Sequence, residues 1–160
     1  MRAKKTYAAV TRSLNPEGRI DKLRLDKNEH TYGLPPAFVS KALEGLTPEL
    51  LASYPEVRPL YAKLAQTYAI SERNLMLASG SDAAIKAFYE AFVHEGDEVV
   101  LLDPSYAMFH VYAKLFGAKV VDISYGPGLS LDAEAVLGAI HPGVSIVAIA
   151  NPNSPTGTII

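Results

Sequence analysis

From Asn74 onward, short apolar runs alternate with stretches of helical periodicity. Asn74 to Ala78, Glu98 to Leu102, Lys119 to Ile123 and Val144 to Ala150 have the length of strands, and the last three are rich in β-branched or aliphatic side chains. Between them, Ser81 to Val93, Ser105 to Phe116 and Asp132 to Ile140 read as helices. Ala84, Phe88, Ala91 and Phe92 fall on one face of the first, Gly117 ends the second and Asp132 is placed to cap the third. Strands separated by single helices are βαβ units, which pair in parallel. Near-continuous apolar strands predict burial on both sheet faces. The pattern predicts an α/β fold with a mostly parallel sheet.

The first half is patterned differently. Residues 1–24 are polar with scattered apolar positions and read as an arm. Leu23 to Asp26 alternates apolar and charged side chains, as a short strand does. Pro35-Pro36 opens a helix to about Glu44, with Gly45 just past its end. Thr47-Pro48-Glu49 begins a short helical turn. Tyr54-Pro55-Glu56 is extended or turned, because a residue before proline avoids the helical region. A further helix over Pro59 to Tyr68 places Leu60, Leu64 and Tyr68 on one stripe.

Composition narrows the classes of function. The chain has 160 residues, enough for one domain with a core, 49% of them hydrophobic and 20% charged. A net charge of −2 gives no basic surface for nucleic acid or an anionic membrane. The most apolar stretch, Val144 to Ala150, is far too short to span a bilayer. The basic start Met1-Arg2-Ala3-Lys4-Lys5 is followed by no apolar signal core. No cysteine is present, so disulfides and thiolate metal sites are excluded. His30, His94, His110 and His141 lack metal-ligand spacing, so no metal is expected. A cytoplasmic enzyme or binding domain is the expectation that remains.

Three turns follow predicted strands, where open α/β sheets place their ligands. In Ser79-Gly80-Ser81-Asp82, Gly80 would let the backbone approach a ligand closely. The N–H groups of Ser81, Asp82 and Ala83 would open the following helix toward a phosphate monoester. The plain alternative is a turn in which Ser81 or Asp82 caps the helix. The loop is neither GxGxxG nor a Walker A motif, which disfavours a dinucleotide or a nucleoside triphosphate. Asp103-Pro104-Ser105-Tyr106-Ala107-Met108-Phe109 sets an aromatic ring at a helix start, able to lie on a planar cofactor, unless Tyr106 and Phe109 are simply core. Asn151-Pro152-Asn153-Ser154-Pro155-Thr156-Gly157 is a polar turn stiffened by two prolines, able to bond a ring hydroxyl or to be an ordinary Asn/Pro turn.

Taken together, Leu25-Asp26-Lys27-Asn28-Glu29 with Tyr32-Gly33, Tyr54-Pro55, Gly80-Ser81-Asp82, Pro104-Ser105-Tyr106 and Asn153-Ser154-Pro155-Thr156-Gly157 resemble class I/II pyridoxal-phosphate-dependent aminotransferases, in order and spacing most like their histidinol-phosphate branch. The resemblance implies a three-layer sandwich, the fold type I large domain in incomplete form. It implies an N-terminal arm and small-domain segment over residues 1–50 and the first part of the cofactor-binding large domain over 51–160. It implies pyridoxal 5′-phosphate as cofactor, with its phosphate held by Ser81, Asp82 and Ala83 and its ring stacked on Tyr106. It places Tyr54 on the cofactor phosphate of a neighbouring subunit, hence a homodimer with a shared site, and Tyr32 beside the substrate. The family has asparagine immediately before Pro-Thr-Gly, bonded to the cofactor's ring oxygen. Here that position is Ser154, with Asn153 one residue earlier, so Asn153 or a water would supply the bond.

The family's Schiff-base lysine, the carboxylate beside the pyridine nitrogen and the anion-binding arginines all follow the Pro-Thr-Gly turn. The chain is therefore expected to be the N-terminal portion of a longer enzyme that moves an amino group between an amino acid and a keto or phosphorylated keto substrate, and to contribute no catalytic residue itself. Two other readings compete. A threonine-phosphate decarboxylase is similar over this region, and a non-catalytic stub could bind a partner or a phosphorylated ligand.

Overall fold

Four consecutive aliphatic residues, Val99 to Leu102, form the centre of the computed structural model, which describes residues 18, 21–25, 27–30 and 32–160. Their strand, β1 (Glu98–Asp103), is buried on both faces, as an apolar strand between two covered faces must be. It is the middle of a three-stranded parallel sheet with β2 (Lys119–Ser124) on one side and β3 (Val144–Ala148) on the other. Parallel neighbours need long crossovers. Helix α5 (Ala107–Phe116) connects β1 to β2, and α6 (Ala133–Gly138) lies between β2 and β3. Helix α4 (Ser81–Phe92) precedes β1.

The core of this unit joins Tyr89 and Val93 from α4 and its end, Val99 and Leu101 from β1, Tyr112 and Ala113 from α5, and Ile146 from β3. Local signals stop and start the helices as expected. Gly117 closes α5 in the left-handed region at φ +73, where glycine carries no side-chain penalty. Asp132 caps α6 by accepting from the backbone N–H groups of Glu134 and Ala135 at 3.0 and 3.2 Å.

The chain divides into two compact units, one containing Met76–Ile160 and the other spanning Arg12–Leu75. The described part of the second carries α1 (Pro36–Glu44), α2 (Pro48–Ala52), capped by Thr47 at 3.1 Å, and α3 (Arg58–Tyr68). The expected arm over residues 1–24 lies mostly outside the described residues, as does Asp26.

Two expected strands are absent among the described residues. Leu23 and Leu25 are exposed and, with half-buried Arg24 between them, lie in irregular chain. Glu72–Asn74 is a 3₁₀ turn and residues 75–78 join neither ladder of the described sheet. Helix α5 begins two residues later than its sequence pattern, so Tyr106 stands in front of the helix rather than within it.

Candidate functional site

Three turns leave the unit Met76–Ile160 at points where the chain is about to enter a helix or has just left a strand. At the first, Gly80 adopts φ +84 and ψ 173, backbone open to glycine almost alone. A methyl group built there would meet nothing within 4 Å, so the space in front of the α4 N-terminus is open. Gly80 is itself the residue at the N-cap and brings no side chain to the helix start. A helix start with a glycine at its N-cap and a positive dipole is suited to a phosphate monoester. Ser81 is exposed, while Asp82 and Ala83 are half-buried.

The second turn meets the first. The Tyr106 hydroxyl donates to Asp82 Oδ1 at 2.5 Å, and the Tyr106 ring packs edge-on against Phe109 with centroids 6.0 Å apart. Two candidate residues read from separate motifs are thus in contact. Tyr106 is half-buried.

The third turn folds over the second. Asn153 is 3% exposed, the buried polar side chain of this unit. Its Oδ1 accepts from Ser105 Oγ at 2.7 Å, and its Nδ2 donates to the Pro104 carbonyl and to Thr156 Oγ1, both at 2.9 Å. Its backbone N–H donates to the Thr158 carbonyl and its own carbonyl accepts from Gly157 N–H, each at 2.7 Å. Thr156 Oγ1 lies 2.7 Å from Thr158 Oγ1, which donates to the Tyr125 hydroxyl at 3.3 Å. Ser154 is exposed. A bond from Asn153 to a cofactor hydroxyl would have to compete with three internal ones.

Sequence reasoning gave Ser105, Thr156, Thr158 and Tyr125 no role. Ser105 and Thr156 sit inside the turn motifs and Thr158 just after one, but all three look like ordinary turn residues. Tyr125 follows β2 at its carboxyl end, the general location of ligand sites in parallel sheets, which is the signal that could have pointed to it. Tyr32 and Tyr54 belong to the other compact unit. Tyr54 is 99% exposed. Tyr32 is also exposed, its carbonyl accepting a bond from the His30 ring.

A parallel α/β unit whose turns gather at the carboxyl ends of its strands defines a protein of the open α/β class, which places its ligands at those ends. The particular family follows from comparison with known proteins. Residues 20–160 match the family model "Aminotransferase class I and II", and the chain belongs to that family. It is 34% identical over 140 residues to a histidinol-phosphate aminotransferase of Thermococcus gammatolerans, covering 86% of this chain and 40% of that protein. It is likewise 34% identical to histidinol-phosphate aminotransferase 1 of Bacillus cereus, covering 86% and 37%. Among solved structures, a putative histidinol-phosphate aminotransferase from Erwinia carotovora atroseptica superimposes with a TM-score of 0.76 at 27% identity, over 92% of this chain and 43% of that one. The Sinorhizobium meliloti histidinol-phosphate aminotransferase, solved with pyridoxal-5′-phosphate, gives 0.70 at 24% identity over 81% and 35%. The chain spans about two fifths of the length of the curated relatives it matches.

Proposed function

We propose that this chain supplies the phosphate corner and one ring face of a pyridoxal 5′-phosphate site, in an aminotransferase that moves an amino group between an amino acid such as glutamate and a keto or phosphorylated keto partner. The observation that carries this is the pairing of a helix start at Gly80, glycine backbone with open space at its Cβ position, with the Tyr106 hydroxyl held on Asp82 at 2.5 Å. The N–H groups of Ser81, Asp82 and Ala83 would donate to the phosphate, and Tyr106 would face the ring. Asp82 brings a negative charge to the same corner, and the bond from Tyr106 offsets part of it. Bound there, the cofactor supplies an aldehyde for amino groups and a ring that accepts electrons. Ser154, exposed at the position before Pro155, is the side chain left to reach the ring oxygen, directly or through water.

By the same resemblance, residues 1–50 would be an arm and small-domain segment and residues 51–160 would begin the large domain. Tyr54 reaches the phosphate of a second subunit in a homodimer. What supports this is an aromatic ring left 99% exposed. Lys63, Lys86, Lys114 and Lys119 are all exposed. We assign the lysine that bonds to the cofactor to the part of the relatives' length that this chain does not span. No described helix is long and apolar enough to cross a membrane. A cytoplasmic location fits a cysteine-free chain.

The test is a titration of the full-length protein with pyridoxal 5′-phosphate and with pyridoxal, followed by amino-transfer assays with histidinol phosphate as the first donor. The phosphorylated form should bind far more tightly. Equal affinity for both would remove the phosphate corner and the reading with it. Borohydride treatment of the isolated 160-residue chain with the cofactor should label none of its lysines.

A further inference from the structure

We propose that Asn153 is a positioning residue for Tyr106, serving the cofactor site at one remove and not by contact. This rests on the cofactor reading above. An asparagine in a proline-rich turn ordinarily spends its side chain on nearby backbone. Asn153 instead reaches 48 and 49 positions back, to Ser105 Oγ and the Pro104 carbonyl. These are the two residues immediately before Tyr106. They fix the backbone end of that ring, while Asp82 holds its hydroxyl end.

The asparagine is well suited to this task. At 3% exposure its carbonyl oxygen and both amide hydrogens would be costly to leave unpaired, and all three have partners. Its backbone is closed inside the turn by Gly157 and Thr158. Through Thr156 and Thr158 the bonds continue to Tyr125 after β2. The turns that follow β1, β2 and β3 are therefore joined into one hydrogen-bonded body, with Tyr106 at its margin. A ring so anchored keeps its orientation when the site is empty, which lowers the ordering cost of binding a planar ligand.

Free pyridoxal phosphate is achiral, so circular dichroism in its visible band reports how rigidly the protein orients the bound ring. The test uses full-length protein carrying Asn153→Ala, Ser105→Ala or Tyr106→Leu, and Asn153→Ala combined with Tyr106→Leu. Asn153→Ala should weaken cofactor affinity by roughly five- to tenfold, the scale of one lost hydrogen bond. It should also reduce visible ellipticity per bound cofactor while the far-ultraviolet spectrum is unchanged. Ser105→Ala should act in the same direction, and Asn153→Ala should add nothing further once Tyr106 is leucine. An Asn153→Ala protein with unaltered affinity and ellipticity overturns the proposal, as does full additivity with Tyr106→Leu. Should Asn153→Ala fail to fold, Ser105→Ala decides, and an unchanged spectrum there overturns it equally. Unmodified protein that binds no pyridoxal phosphate would instead overturn the cofactor reading, before any variant is compared.

Discussion

Gly80 and Tyr89 stand nine positions apart and illustrate opposite kinds of cost. Gly80 holds backbone that an alanine could occupy only under strain, although its Cβ would meet open space. Gly80→Ala should therefore lower unfolding free energy by about 1–3 kcal/mol, read by urea denaturation, through conformation and not through collision. Tyr89 is 1% exposed and its hydroxyl has no hydrogen-bond partner among the described residues. Burial pushes its ionisation from 10.0 up to about 12. The folded form resists losing this proton while the unfolded chain does not, so the associated stability is complete below pH 10 and is lost as pH rises toward 12. Tyr89→Phe should raise stability at neutral pH by up to about 1–3 kcal/mol, the cost of an unpaired buried hydroxyl. It should also flatten the alkaline loss seen by thermal denaturation. The glycine could be found from sequence, because it sits between an apolar run and a helix. The unpaired hydroxyl could not, because tyrosine in a helix gives no sign of what surrounds its tip.

Helix α4 shows how far periodicity reaches at the scale of an element. Its limits match the pattern within a residue. The face marked by Phe88 and Phe92 is not the buried one: both are 55% exposed, their rings tilted against each other with centroids 4.9 Å apart, while Ile85, Tyr89 and Val93 pack into the core. A helix with two apolar stripes offers two faces, and only the position of β1 and α5 selects between them. The loop after α4 is tied to the sheet by Asp97, whose carboxylate accepts from His94 N–H and from Ser145 Oγ, each at 2.8 Å. The His94 backbone bond is the main cause of a lowered ionisation at Asp97, with Ser145 next. Because the folded value is depressed, the stabilisation is present above the ordinary carboxylate value of 3.8 and is lost as pH falls through the lowered one. Asp97→Asn should weaken the fold at neutral pH and blunt its further loss in acid, a comparison made by denaturation at pH 7 and pH 3. At the other end of the sheet, Asp132→Ala should cost about 1 kcal/mol in the same assay by removing the α6 cap.

At the scale of the molecule, the exposed side of α4 and the outer strand β3 enclose an open groove of about 320 Å³, lined among others by Met76, Ala84, Phe88, Phe109, Val147 and Ile149. Exposed apolar surface beside a strand that pairs on one side only favours association. The 160-residue chain on its own should bind a hydrophobic dye such as ANS and self-associate in sedimentation. Phe88→Ser with Phe92→Ser should reduce both while leaving the Tyr89 core folded. Dye binding unaffected by those changes would place the sticky surface elsewhere.

The chain's own order of residues was sufficient for the α/β class, the parallel pairing, and the helix limits set by proline, glycine and aspartate. Each of these depends on backbone conformation and on periodicity, which act between residues a few positions apart. Tertiary structure alone decided that residues 75–78 form no strand, which face of α4 is buried, and that Asn153 turns inward to Ser105 instead of outward. Those outcomes depend on partners dozens of positions away, and a hydrogen bond or a buried face exists only when its other half is present.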